Sequence, residues 1–158
     1  MYILRYLHKE SEQGEEGGEG LTAREYLEKI WHNERIIRNK QIERKYWMEL
    51  ASGITASIGG ERVQSTKIVS PMEKMVVEAA IIDQEIDRLK KEIAEIIETI
   101  QKLPTEEYDF LHKVYIQRKD MKEIYVDGYK SNSWAKTMHK RALSSLQRVL
   151  DERENAQE

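Results

Sequence analysis

The sequence predicts an all-α protein: a long N-terminal helical hairpin or coiled coil followed by a C-terminal helix-turn-helix. One observation is the apolar seam Met72, Met75, Ala79, Ile82, Ile86, Leu89, Ile93, Ile96, Ile100 and Leu103, which advances in steps of three and four. That is the spacing of one helix face sustained over several heptads. Another is composition: of 158 residues, 35% are charged and 39% hydrophobic, with only two prolines and one phenylalanine. So few breakers in a chain rich in Glu, Lys, Ile and Leu favour long amphipathic helices over a sheet.

Residues 1–20 stand apart. Glu10–Gly20 holds five Glu and four Gly in eleven residues, a composition that cannot bury a core. The run GEEGGEG is open to two readings. It is an acidic linker, or it is a purine-rich ribosome-binding site that has been translated, with Leu21 at the true start. Thr22 and Glu25 then form a capping box for a helix expected to reach about Ala51. Leu27, Ile30, Trp31, Ile37, Trp47 and Leu50 give it an irregular apolar face; seven basic residues against five acidic ones stud the remainder as a solvated surface. Ser52 to Ser70 reads as a break, with Gly53, Gly59 and Gly60, and with Arg62, Gln64, Ser65 and Lys67 available to a partner.

Ser70-Pro71-Met72-Glu73 is a helix start: a cap, a proline in the first turn and a glutamate three after the cap. The helix that carries the seam would be on the order of 50 Å long, ending at Pro104. Its seam is expected to fold back on the first helix, and any part left uncovered in 72–103 invites a homo-oligomer. The expected domains are therefore 21–103, a hairpin with loop 52–70, and 104–150, with 151–158 a frayed tail. Thr105 opens a supporting helix carrying Tyr108, Leu111, Val114 and Tyr115.

The organising stretch is Asp120–Leu146. Asp120 and Glu123 have capping-box spacing, Met121, Ile124 and Tyr125 give a short apolar helix, and Gly128 supplies the freedom for a turn. Beyond it Ala135, Met138, Ala142, Leu143 and Leu146 form a buried stripe on a second helix, 131–146. The other face carries Ser131, Asn132, Ser133, Lys136, Thr137 and Lys140: short hydrogen-bonding groups between cations, suited to base edges and phosphates. From Gly128 to Val149 there are five basic residues, Lys130, Lys136, Lys140, Arg141 and Arg148, and no acidic one, although the whole chain has a net charge of −3. A local basic stripe suffices to attract DNA, because the phosphate field reaches over about 10 Å. Lys130, Arg141 and Arg148 are the candidate phosphate contacts.

Cysteine is absent, which excludes disulfides, thiolate catalysis and cysteine-ligated zinc and is compatible with a reducing cytoplasm. No apolar run approaches the ~20 residues of a membrane span. The four histidines, His8, His32, His112 and His139, are scattered and form no metal-ligand pattern, and no nucleophile or phosphate-cradling motif occurs. Neither an enzyme nor a cofactor is expected.

Glu123-Ile124, Ser131, Trp134, His139 and Arg141-Ala142-Leu143 resemble the C-terminal helix-turn-helix of small phage regulators. These are the ArpU- and RinA-type late-transcription regulators of phages and prophages, whose C-terminal module is similar to region four of sigma factors. Leu21–Leu27, Ile54–Ser57, Glu61–Ser65 and Leu103-Pro104 extend the resemblance to roughly 21–150. It implies a transcription regulator that binds double-stranded DNA and contacts RNA polymerase. The sequence departs from the pattern in two places. Tyr125 stands where the family has a small residue, and the family's turn glycine falls on Tyr129, one residue after Gly128. The turn is therefore expected to be rebuilt around Gly128. Competing readings are a coiled-coil interaction module without DNA binding and an RNA-binding accessory. The shortage of aromatics beyond Trp134 and the tyrosines weighs against the latter.

Overall fold

The computed structural model describes residues 20–57 and 70–158, the side chains of 54–57 excepted. The expectations for residues 1–19, His8 among them, and for Arg62, Gln64, Ser65 and Lys67 lie outside the described residues. Within them all regular structure is helical: α1 (Ala23–Ser57), α2 (Pro71–Ile100), α3 (Thr105–Leu111), α4 (Met121–Asp127) and α5 (Asn132–Asn155). A π-helical turn, His112–Ile116, continues α3.

Both long helices start where their caps predict. The Thr22 amide donates to Glu25 Oε2 at 2.9 Å and the Glu25 amide donates to Thr22 Oγ1 at 3.3 Å. The Thr22 amide, together with the Thr22 hydroxyl that donates to the same Oε2 at 2.8 Å, holds the Glu25 carboxyl below its ordinary value. The Ser70 amide likewise donates to Glu73 Oε2 at 3.3 Å. The expected end of α1 at Ala51 was too early, because the helix runs on to Ser57. A Cβ on Gly53 would meet nothing within 4 Å. At such an open position glycine costs a helix only about 1 kcal/mol, too little to break it. Ser52 Oγ adds a local bond to the Met48 carbonyl at 2.9 Å.

The described residues divide into two compact units, one of 29–57 with 70–95 and one of 20–28 with 96–158. In the first, α1 and α2 run antiparallel around Ile37, Ile82, Ile86 and Leu89, with Ile36, Trp47 and Ile93 partly buried against them. Asn33 Nδ2 donates to Glu92 Oε2 at 3.0 Å. Farther along, Lys40 pairs with Glu85 and Arg44 with Asp83, each at 2.6 Å. These pairs run in opposite directions along the two helices, which fixes the register. The seam is covered from Ala79 onward, whereas Met75 is half-buried and Met72 is exposed. The register sets Ala51, the last buried residue described on α1, opposite the second turn of α2, so Met72 in the first turn lies beyond the covered stretch.

In the second unit α3 and α4 both pack on α5. Leu27, Ile100, Leu111, Tyr115 and Leu146 are fully buried. The start of α1 and the end of α2 belong here, tied to α5 by polar bonds that sequence reading did not foresee. The Ala23 amide donates to Gln147 Oε1 at 2.7 Å, and Arg153 Nη2 donates to Thr99 Oγ1 at 2.9 Å. The buried Thr99 hydroxyl also meets the Tyr26 hydroxyl at 3.0 Å. With Leu150 buried and Arg153 so held, the expected frayed tail is instead helical to Asn155.

Candidate nucleic-acid interface

The short helices α3 and α4 present α5. After α3, the bond from the Gln117 amide to the His112 carbonyl at 2.9 Å makes the last turn wide, and Val114 and Tyr115 are buried there. Arg118 then takes a left-handed conformation, φ 56°, which lets the Lys119 amide reach back to the Lys113 carbonyl at 2.9 Å. Asp120 does lie at the start of α4, but its side chain makes no capping hydrogen bond, contrary to the expected capping box. Ile124 is the residue that α4 buries.

The turn differs from its sequence reading. Gly128 has φ −84°, which any residue can adopt, and the left-handed position is Tyr129, φ 53°. The hydrogen bonds show why. The Lys130 amide bonds the Tyr125 carbonyl at 2.7 Å and the Tyr129 amide bonds the Val126 carbonyl at 3.1 Å. This is a Schellman-type ending, in which the residue before the final donor must be left-handed. The glycine sits one place too early to fill that role, so the turn keeps its geometry at the expense of a tyrosine.

Ser131 caps α5: its Oγ accepts from the Trp134 amide at 3.1 Å. From there the helix is two-sided. Ala135, Met138, His139, Ala142, Leu146 and Leu150 are buried. Asn132, Ser133, Lys136, Thr137, Lys140 and Arg148 are exposed; the spacing of Ser133, Lys136, Thr137, Lys140 and Arg148 places them off the buried stripe, and Asn132 is exposed in the first turn of the helix. Lys130 is exposed and lies over the Trp134 ring, 5.8 Å from its centroid, while Trp134 meets Phe110 edge-on at 5.9 Å. The cation at the head of α5 is thereby steadied. By contrast α4 and its approach mix exposed Asp120, Glu123 and Asp127 with exposed Arg118 and Lys122.

Arg141 has a different task from the one its charge suggests. Its Nε donates to Glu107 Oε1 at 2.9 Å and its Nη2 to Glu106 Oε2 at 3.3 Å. Glu107 is only 4% exposed. Arg141 is thus the counter-charge of a buried carboxylate on α3, and removing it would strand that charge. The pairing spans 34 residues and left no trace in the local sequence pattern.

His139 belongs to the core. Its Nε2 shares a hydrogen bond of 3.0 Å with the Tyr115 hydroxyl, and Phe110 lies against it at 5.9 Å. Burial, with Arg24 nearby, holds the imidazole down to about 4. Burial also pushes the Tyr115 hydroxyl above its ordinary range. Burial thus favours the neutral form of both groups near neutral pH.

Comparisons with protein-family models, with curated proteins and with solved structures found no match.

Among the described residues no group of three or more His, Cys, Asp or Glu is placed to hold a metal ion, and no helix is long and apolar enough to cross a membrane.

Proposed function

We propose that this chain is a sequence-specific DNA-binding transcription regulator that inserts α5 into the major groove. The observation that carries this reading is the division of α5: its buried arc is used up by the core, while its exposed arc holds Ser133, Lys136, Thr137 and Lys140, joined by Asn132 exposed in the first turn, with no carboxylate up to Val149. The α4–turn–α5 layout supports it, since a short helix followed by a longer one is how helix-turn-helix proteins deliver base-reading side chains. Asn132 at the leading end of α5 is suited to adenine, and Lys136 and Lys140 to guanine or phosphate. Ser131 is spent on capping, Arg141 on Glu107, and Lys130 and Arg148 remain for the backbone. The motif resemblance extends the proposal to phage or prophage late genes, with RNA polymerase as a second partner in the bacterial cytoplasm.

The test starts from a binding sequence selected out of a random duplex pool. Asn132→Ala should weaken binding to that sequence by ~1–3 kcal/mol while sparing mixed-sequence DNA. Arg148→Ala should weaken both alike and lower the salt slope by about one unit. Equal losses for the two variants on both duplexes would show that Asn132 does not read bases.

A second reading, an interaction module acting through the hairpin, draws on a different observation. Ile42, Tyr46, Val76, Val77 and Ile81 are exposed apolar side chains of the 29–95 unit. A mass above that of one chain in light scattering, lost on replacing Val77 and Ile81 by Lys, would favour it.

A further inference from the structure

The turn before α5 holds a residue with no evident structural use. Tyr129 is 97% exposed, so its ring contributes nothing to the core. It is also left-handed, φ 53°, a conformation that is costly for any side chain and nearly free for glycine. Glycine at this position would keep both closing bonds of the turn, since these are made by backbone amides. A side chain that weakens the fold where it stands, and that projects wholly into solvent, points to a role outside the fold.

Its position says which role. Tyr129 directly precedes Lys130, which is steadied over Trp134, and Ser131, which caps α5. When the leading end of a recognition helix enters the major groove, the turn before it lies at the groove edge, against the sugar-phosphate chain. We infer that Tyr129 is a DNA-backbone contact, its hydroxyl donating to a phosphate oxygen and its ring lying on the adjacent sugar. This rests on the DNA-binding reading above and assigns to that site a residue that its charge pattern did not reveal. A phenol is neutral, so the contact releases no counterion. It should change affinity equally at every salt concentration and leave the salt slope alone.

The experiment is a fluorescence-anisotropy titration of a short mixed-sequence duplex across a salt series, with thermal melts of each protein. Tyr129→Gly should melt no lower than the parent chain yet bind about tenfold more weakly, with the slope unchanged. Tyr129→Phe keeps the backbone conformation and the ring, and should lose most of that factor through the hydroxyl alone. The Lys136→Ala, Lys140→Ala pair serves as the reference. If the lysine pair weakens binding and both Tyr129 variants bind like the parent, the helix reads DNA and the tyrosine contact is wrong. If the lysine pair is also without effect, the DNA-binding reading fails and the contact goes with it. A Tyr129→Gly chain that melts markedly lower, with Tyr129→Phe binding normally, would give the tyrosine a purely structural role and overturn the inference.

Discussion

Replacing Ile86 by Asp is expected to unfold the hairpin. Ile86 is 6% exposed and sits among Ile37, Ile82 and Leu89. Losing the buried isoleucine costs about 2–5 kcal/mol by itself, and an unpaired carboxylate in its place costs several more. The total rivals the ~5–15 kcal/mol that holds a whole domain together. Circular dichroism should show a large loss of helicity and a melt shifted far down. Ile42→Asp is the control, because Ile42 is 70% exposed on the same helix pair and should move the melt by less than about 0.5 kcal/mol. Ile93 is half-buried and should fall between them. Identical melts for Ile86→Asp and Ile42→Asp would mean that the seam does not face α1.

Acid should weaken the C-terminal unit through His139. Its folded value is about 4 against an ordinary 6.5, so the unfolded chain takes up the proton first as pH falls. The stability gained from keeping the imidazole neutral is therefore full above about 6.5 and is lost progressively down to about 4. At about 1.4 kcal/mol per pH unit, that window corresponds to roughly 3 kcal/mol. Urea midpoints measured between those limits should fall for the parent chain. His139→Gln, which does not titrate and can still bond the Tyr115 hydroxyl, should flatten that fall. A parent chain and a His139→Gln variant with parallel pH profiles would place the acid sensitivity elsewhere.

The parts of the fold that were legible in the sequence are those fixed by near neighbours. The Thr22–Glu25 and Ser70–Glu73 spacings announce their own hydrogen bonds, and the seam from Ala79 to Leu103 announces the face that must be covered. What was not legible depends on partners far away in the chain. The bond between Arg141 and Glu107 removes a phosphate candidate, and the bonds of Thr99 and Gln147 draw the base of the hairpin into the C-terminal unit. Neither has a local signature. The turn misled for another reason. Gly128 advertises flexibility, but the position that needs it is set by the hydrogen bond from Lys130 to Tyr125, and that falls on Tyr129. Gly53 misled in the same way, since a glycine in open solvent lowers helix propensity without ending the helix. For the candidate interface, the exposed arc of α5 was readable from period alone, because the apolar stripe fixes which side faces out.

The most direct measurement is the affinity of the Asn132→Ala, Lys136→Ala, Lys140→Ala triple variant for a selected duplex and for mixed-sequence DNA, across a salt series. All three side chains are exposed, so the variant should fold and melt like the parent chain. It should bind the selected duplex at least about a hundredfold more weakly, from a lost base contact and two lost cation contacts. Its salt slope should be shallower by about two units. Unchanged affinity for both duplexes, with the fold intact, would contradict a DNA-reading role for α5.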